Sequence, residues 1–163
     1  HVGASPLERA QETAQPIADA HDLAIAVDGR LIEADNVFQG LTFGVGDGAL
    51  TRPRHWKHLR NPFRPSWGEP YRGQALRMLA AMAVARDAAR GREALLVSHQ
   101  LPIWVTRTHV EGRRLWHDPR NRECSLASLT SFTYRGNDIV AVTYSEPARD
   151  LLPASVKKQK SGA

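Results

Sequence analysis

The sequence predicts an α/β fold of three layers, in which a mainly parallel sheet carries helices on both faces. Three observations lead to this expectation. Short apolar runs alternate along the chain with longer segments of helical periodicity. Residues 94–97 are apolar throughout, which is typical of a parallel strand buried on both faces. Two alternating segments around Gly136-Asn137 then indicate a β-hairpin.

The first helix is predicted from its start signal. Residues 1–4 are short and apolar, as in a strand. Ser5 is placed to cap the helix that follows, Pro6 suits a first helical position, and Glu8 completes a capping box. We expect this helix to end near His21.

The remaining elements follow from local periodicity. Residues 23–27 indicate a short buried strand, and residues 69–90 a helix with an apolar stripe that includes Met78 and Met82. A further helix is expected from Pro102 to about residue 110. Hairpin strands are then predicted over the segments that flank Gly136-Asn137, at 125–134 and 138–144.

The chain divides into one domain, an insertion and a tail. Residues 1–145 form the predicted α/β domain, which the pattern indicates is N-terminally incomplete. Residues 36–68 are rich in Gly and Pro, and 48–68 contain no acidic residue, so a cap-like basic insertion is expected there. Residues 146–163 are predicted to form a flexible basic tail.

Composition excludes several classes of protein. The chain has 163 residues, 42% of them hydrophobic and 24% charged, which fits one globular domain and excludes wholesale disorder. No apolar run is long enough for a membrane helix and no leader is visible, so no membrane partner is expected. Cys124 is the single cysteine, which favours a reduced, cytoplasmic protein. The net charge of +5 suits an anionic partner.

Three side chains are placed to carry chemistry. Arg9 lies in the first turn of a predicted helix, where unpaired N–H groups and the helix dipole favour anions. His99 follows a strand, at the sheet edge where ligands bind in α/β folds. Glu33 also follows a strand and suits a general acid if burial raises its pKa, with Asp35 as a competitor for that role.

Other kinds of site find less support. His55 and His58 are three residues apart, but a zinc site requires three or four ligands, and the sequence offers no further ligand at a fixed spacing from this pair. No glycine-rich phosphate loop and no nucleophile elbow are present. We therefore expect neither a metal ion nor a cofactor.

Four segments together resemble a known family. Ser5 to Thr13 is similar to a Ser-Pro-Leu-x-Arg-Ala-x-x-Thr motif, and Leu31-Ile32-Glu33 to a Leu-x-Glu motif. Gly68-Glu69-Pro70 resembles a Gly-Glu-Ser helix start, and Val97-Ser98-His99 a Val-Ser-His-Gly motif. In this order, over about residues 1–145, they resemble the histidine phosphatase superfamily, the phosphoglycerate mutase-like proteins.

The resemblance implies a role for each candidate residue. Arg9 matches the arginine that binds the phosphoryl group, and His99 the second active-site histidine, which stabilises charge on that group. Glu33 matches the acid that protonates the leaving oxygen. Gln100, which stands where the family has Gly, is assigned with Arg9 to phosphate binding. A small phosphorylated substrate and no cofactor are implied, and the insertion favours a phosphatase over a mutase.

One departure from the family is prominent. The family's nucleophile lies in an Arg-His-Gly motif after a central strand, and none of the seven histidines here has that context. We therefore expect the intact protein to carry a further strand, the motif and a helix. The predicted function is phosphate monoester hydrolysis through a phospho-histidine, with the nucleophile outside these residues.

Two other functions stay open at this point. A non-catalytic phospho-ligand binding protein would keep Arg9 and His99 without the nucleophile. A nucleic-acid binder would use the basic and aromatic residues of 36–68, although charge runs are usually solvated surfaces, so a nucleic acid is the less favoured partner. The oligomeric state is left open, with a homodimer as one option.

Overall fold

The computed structural model describes residues 1–34 and 69–152. Its elements, in chain order, are β1 (Val2–Ala4), α1 (Glu8–Ala20), β2 (Ile25–Val27), α2 (Tyr71–Ala88), β3 (Leu95–Val97), α3 (Gln100–Val110), β4 (Leu129–Arg135) and β5 (Asp138–Ser145). Single 3-10 turns lie at Gly29–Leu31, Pro119–Asn121 and Arg149–Leu151.

The first three strands form a parallel sheet in the order β2-β1-β3. Ala4 pairs with both Val27 and Val97, so the three strands end at the same level. The Asp28 N–H donates to Ala4 O at 2.9 Å and the Ser5 N–H to Val97 O at 2.9 Å. The residues that leave the three strands therefore emerge along one edge of the sheet.

Helix α1 covers one face of this sheet through small side chains. Ala14 and Ala18 are fully buried and pack against Val2 and Ala4 of the central strand. Alanine at the contact lets the helix backbone approach the sheet closely, and the sheet side of the cluster is completed by larger aliphatic residues of β2 and β3.

The close contact of α1 with the sheet predicts a large cost for added volume. Replacing Ala14, which is 0% exposed, by Leu lowers the free energy of unfolding by about 1–3 kcal/mol, because α1 must move away from β1. Urea denaturation measures this change. The exposed Glu12→Leu variant on the same helix serves as the control and should stay within about 0.5 kcal/mol of the wild type.

The opposite face of the sheet is covered by α2 and α3. Leu96 of β3 packs with Met78 and Ala81 of α2, Ile103 of α3 and the buried Leu31. A Cβ at the neighbouring Gly3 would lie 2.6 Å from Leu96 Cδ2. Alternate residues of β1 and β3 thus pack against helices on opposite faces of the sheet. This confirms the predicted α/β fold with helices on both faces of a parallel sheet.

Three local expectations were wrong. Helix α1 begins at Glu8 with Leu7 as its N-cap and no side-chain cap, so Ser5 forms no capping box. The strand expected over 23–27 is confined to Ile25–Val27 and is not buried: Leu23, before the strand, is 43% and Val27 54% exposed, and within the described sheet β2 pairs with β1 alone. The hairpin starts at Leu129, since residues 125–128 form a turn.

The hairpin forms a sheet of its own. Strands β4 and β5 pair antiparallel, and the turn between them places Gly136 at a φ of 62°. Arg86 of α2 lies over the Tyr134 ring at 5.4 Å, and Arg107 of α3 over the Tyr144 ring at 5.3 Å. The hairpin is therefore attached to the layer formed by α2 and α3.

Some expectations concern residues that the structure does not describe. The cap-like insertion at 36–68, the candidate acid Asp35 and the pair His55 and His58 lie outside the described residues, as does the tail beyond residue 152. Within 1–34 and 69–152, no helix combines the length and the apolar character needed to cross a bilayer.

Candidate active site

Arg9 and His99 meet at the carboxyl edge of the parallel sheet. Arg9 lies in the first turn of α1, just beyond β1, and His99 is the N-cap of α3, just beyond β3. The Nη2 atom of Arg9 is 3.4 Å from Nδ1 of His99. Because a guanidinium only donates, Nδ1 must be the accepting nitrogen, and the neutral ring carries its proton on Nε2.

Ser5 holds the other side of the same imidazole. Its Oγ lies 2.8 Å from His99 Nε2, so the Nε2–H donates to Ser5. Both residues are buried, Ser5 at 0% and His99 at 8% exposure. This contact joins residues 94 positions apart, and the same Oγ also accepts the Leu7 N–H at 3.4 Å.

His99 is neutral in the free protein. Burial lowers its pKa, and the positive charges of Arg9 and then Arg77 lower it further. The ring therefore presents an unprotonated Nδ1 toward the guanidinium of Arg9 near neutral pH. An anion bound between the two groups would reverse this preference, because negative charge favours the protonated ring.

The tautomer of His99 gives a direct test of this geometry. In the wild type we expect the ring ¹⁵N shifts of His99 at pH 7.5 to show a protonated Nε2 and an unprotonated Nδ1. Ser5→Ala removes the acceptor of the His99 Nε2–H and leaves this buried N–H without a partner, so the free energy of unfolding falls by about 1–3 kcal/mol. The preference of His99 for the Nε2-protonated tautomer also weakens. An unchanged tautomer in Ser5→Ala would show that Ser5 does not set it; Ser128→Ala is the matched serine control.

Glu33 is positioned by the 3-10 turn that precedes it. Asp28 accepts the Arg30 N–H at 2.8 Å and so caps the turn. The Ser98 hydroxyl donates to Leu31 O at 2.7 Å, which ties the end of β3 to this turn. Arg77 of α2 donates to Arg30 O as well. Glu33 lies two residues beyond this turn, after Ile32, so the contacts that hold the turn restrict where Glu33 can lie.

The environment of Glu33 favours its acid form. Burial raises its pKa, and this outweighs the opposing influence of the Ala34 N–H, which donates to Glu33 Oε1 at 2.9 Å, and of the charges of Arg122, Arg9 and Arg77. A carboxyl group with a raised pKa suits a proton donor. The influence of Arg9 also shows that Glu33 shares the electrostatic environment of the Arg9–His99 pair.

Gln100 is engaged by the loop that follows α3. Its Nε2 donates to Cys124 O at 3.1 Å, and its Oε1 accepts from Arg122 Nη1 at 3.4 Å. Both ends of the amide thus have partners within the protein. The role of Gln100 in phosphate binding stays a prediction, as do the roles of Arg9, Glu33 and His99.

Sequence reasoning missed three residues of this region. Ser5 was given a role in the helix, Arg77 was not considered, and Arg122 lies in a loop with no motif. The nearest sequence signal for Ser5 was its place in the Ser-Pro-Leu-x-Arg segment. No motif marks the contacts of Arg77 with Arg30 and of Arg122 with Gln100, because these partners are 47 and 22 positions away in sequence.

The described residues form no metal centre, and the depression along α1 does not suit phosphate. Among the described residues, no group of three or more His, Cys, Asp and Glu side chains is arranged to hold a metal ion. A shallow depression runs along α1, but Glu8, Glu12 and Asp19 line it and none of the candidate site residues does. Its negative charge makes it unsuited to a phosphate ester.

Comparison with known proteins identifies one family and a similar protein. The model of the "Histidine phosphatase superfamily (branch 1)" matches residues 1–147. A Mycobacterium tuberculosis protein, "Uncharacterized protein Rv0525", is 57% identical over 147 residues, which is 90% of this chain and 73% of that protein.

Solved structures share the fold at lower identity. "Mycobacterial hydrolase 2" superposes with a TM-score of 0.63 and 23% identity, over 88% of this chain and 67% of its own. The native structure of mycobacterial glucosyl-3-phosphoglycerate phosphatase Rv2419c gives a TM-score of 0.54 and 22% identity, over 70% of this chain and 58% of its own. At these identities the likeness shows the fold alone.

Proposed function

Since the chain belongs to the histidine phosphatase superfamily, we propose that the intact protein is a phosphate monoester hydrolase that acts through a phospho-histidine intermediate. The observation that carries this proposal is the contact between Arg9 and His99 at the carboxyl edge of the sheet, beside a carboxyl group with a raised pKa. Phosphoryl transfer needs positive charge and positioning, and this arrangement supplies both.

In this proposal Arg9 and His99 bind the phosphoryl group together. The 3.4 Å contact between Arg9 Nη2 and His99 Nδ1 opens to admit the phosphoryl oxygens, to which Arg9 donates. Negative charge beside His99 favours protonation of Nδ1, which then becomes a second donor. Ser5 keeps Nε2 occupied throughout, so the ring does not turn away.

Glu33 acts as the general acid that protonates the leaving group. When the nucleophilic histidine attacks phosphorus, the P–O bond of the ester breaks and the departing oxygen takes the proton of Glu33. The resulting carboxylate then accepts a proton from the water that attacks the phospho-histidine. Inorganic phosphate is released, and both the nucleophile and Glu33 return to their starting forms.

The nucleophile itself is proposed to lie outside the 163 residues. None of the seven histidines in the sequence has an Arg-His-Gly context, and the match covers 73% of the Mycobacterium tuberculosis relative, which therefore extends beyond the matched region. His99 is not proposed as the nucleophile, because the resemblance assigns it to charge stabilisation, and Ser5 engages its Nε2.

The test compares two polypeptides with one substrate. p-Nitrophenyl phosphate is offered to the 163-residue chain and to the protein translated from the complete reading frame. We expect turnover only from the complete protein, together with an acid-labile, base-stable phosphoprotein in rapid-quench samples. Robust hydrolysis by the 163-residue chain would contradict the proposed location of the nucleophile.

A second candidate, a non-catalytic phospho-ligand binding protein, is favoured by the missing Arg-His-Gly context alone. It predicts that the complete protein binds inorganic phosphate at Arg9 and His99 but hydrolyses no ester in a panel of sugar, acyl-glycerol and aryl phosphates. Binding without turnover would therefore replace the phosphatase proposal.

A further inference from the structure

Arg77 of α2 joins two segments that are distant in the sequence. Its Nε atom donates to Glu69 Oε1 at 2.9 Å, and its Nη2 atom donates to Glu69 Oε2 at 2.9 Å. Its third nitrogen, Nη1, donates to the carbonyl oxygen of Arg30, 47 positions away. Each nitrogen of the guanidinium therefore has an acceptor, and the group is held in one orientation.

Glu69 is itself held against the start of α2. Gln74, which is 1% exposed, donates from Nε2 to the Glu69 carbonyl oxygen at 2.9 Å. The side chains of the ion pair are largely enclosed, with 17% exposure for Arg77 and 26% for Glu69. Because a carboxylate meets a planar guanidinium through two parallel hydrogen bonds, the position of Glu69 fixes the plane of the Arg77 side chain.

The carbonyl group that Arg77 binds belongs to the turn that precedes Glu33. Arg30 is the middle residue of this 3-10 turn. The next carbonyl group, that of Leu31, accepts from Ser98 Oγ at 2.7 Å. Two consecutive carbonyl groups of the turn are thus fixed from different elements, one from α2 and one from the end of β3. Arg77 therefore limits how far the backbone that leads to Glu33 can move.

Charged and titratable groups face Glu33 from three parts of the fold. They are Arg122 and the Cys124 thiol in the loop after α3, Arg9 in α1 and Arg77 in α2. Burial raises the pKa of Glu33, and the three arginines oppose this rise. The Glu69 carboxylate offsets part of the Arg77 charge, because the two form an ion pair at 2.9 Å. Without that carboxylate, Arg77 would favour the ionised form of Glu33 more strongly.

We propose that Arg77 is a positioning residue for the general acid Glu33, and that Glu69 orients Arg77 for this role. Arg77 holds the turn before Glu33 from α2, and Glu69 keeps the guanidinium in the plane that this contact requires. The inference rests on the proposed function, in which Glu33 protonates the leaving oxygen. In it neither Arg77 nor Glu69 contacts the substrate, so each acts only through Glu33.

The kinetic test uses esters that differ in their need for an acid. In the complete protein, Arg77→Met should lower kcat for an alkyl phosphate by about a hundredfold, since a displacement of ~1 Å at a reacting group has an effect of this size. Hydrolysis of p-nitrophenyl phosphate should change little, because its leaving group needs no proton. Arg77→Lys keeps the charge but not the planar fork, so it should recover part of the activity on the alkyl ester.

Arg86→Met is the matched control for the kinetic test. Arg86 is an arginine of the same helix with a similar side-chain exposure, 20%, and it also pairs with a carboxylate, that of Asp87. It is not among the groups that influence the pKa of Glu33 or His99. Its replacement should leave kcat for both esters unchanged.

A titration tests the same contacts without any need for turnover. The pKa of Glu33 is followed by ¹³C NMR of the complete protein labelled at its glutamate carboxyl groups, with Glu33→Gln for assignment. Glu69→Gln keeps an acceptor for Arg77 but removes a negative charge, so the pKa of Glu33 should fall. Arg77→Met removes a positive charge, so this pKa should rise. A general loosening of the fold would move it the same way in both variants, and Asp87→Asn should leave it unchanged.

The two measurements separate this inference from the proposed function. If no ester is hydrolysed but the pKa of Glu33 moves in opposite directions in Glu69→Gln and Arg77→Met, the inference stands and the phosphatase proposal fails. If Arg77→Met lowers kcat equally for both esters, or if the pKa of Glu33 is the same in both variants as in the wild type, the inference is wrong. If Arg77→Met does not fold, the sign of the shift in Glu69→Gln decides.

Discussion

Replacement of Arg9 by Met in the complete protein lowers kcat/KM for phosphate monoesters by about a thousandfold. Arg9 is the cation in contact with His99, so its loss removes the donor that holds the phosphoryl oxygens and also leaves Nδ1 of His99 without its partner. Both effects act on the group that gains charge during transfer, and we therefore expect kcat to fall as well as KM to rise.

The comparison for Arg9 needs a charge-matched control and a conservative variant. Arg90→Met removes an arginine that is 80% exposed and should leave the kinetics unchanged. Arg9→Lys keeps the charge but loses the planar pair of donors, so part of the activity should return. Steady-state kinetics on a phosphate ester provide the measurement. A loss below about tenfold in Arg9→Met would remove Arg9 from the site.

Glu33→Gln produces the second large effect, a fall in kcat of about a hundredfold to ten thousandfold for esters of poor leaving groups. The amide cannot donate a carboxyl proton to the departing oxygen. The p-nitrophenolate leaving group departs without protonation, so the fall in kcat caused by Glu33→Gln should be much smaller for p-nitrophenyl phosphate. An equal loss for alkyl and p-nitrophenyl esters would contradict the role of Glu33 as general acid.

The pH dependence of Glu33 has a defined sign. Because burial raises its pKa in the folded protein, activity on alkyl phosphates should fall as the pH rises through that pKa, and Glu33→Gln should lose this limb. The same shift makes the carboxyl destabilising at higher pH: its contribution to stability is present below the unfolded pKa and is lost as pH rises through the folded pKa. Denaturation curves at pH 5 and pH 8 should show a smaller decline for Glu33→Gln than for the wild type.

Much of the fold was predicted correctly from local sequence patterns. The predictions that were wrong concern residues whose positions depend on tertiary contacts. The stripe around Met78 is buried as its period predicts, whereas the apolar run at 94–97, expected to be buried on both faces, is only partly buried. The start of α1 was misplaced because a capping box is a local device, whereas the Ser5 hydroxyl contacts His99 at the end of another strand. Leu23 and Val27 resemble buried residues in sequence, yet Leu23 precedes β2, and Val27 lies in a strand that pairs on one side only within the described sheet.

The site residues also differ in whether local sequence could predict them. Arg9 was predicted from its place in the first turn of a helix and His99 from its place after a strand, and the register of the parallel sheet brings the starts of α1 and α3 together at one edge. Arg122 had no such marker, since its place depends on where the loop after α3 returns and on its hydrogen bond to His117, which packs against Tyr71 and Trp104. Contacts of this kind become visible only when the helices are in place.

The central claim is that Arg9 and His99 form one phosphoryl-binding site. The most direct measurement is an NMR titration of the complete protein with inorganic phosphate, following the His99 ring nitrogens and the Arg9 side-chain N–H signals. We predict saturable shifts at both residues with a common dissociation constant, protonation of His99 Nδ1 on binding, and loss of the response in Arg9→Met. Phosphate that binds without perturbing either residue, or that protonates His99 equally well in Arg9→Met, would contradict the claim.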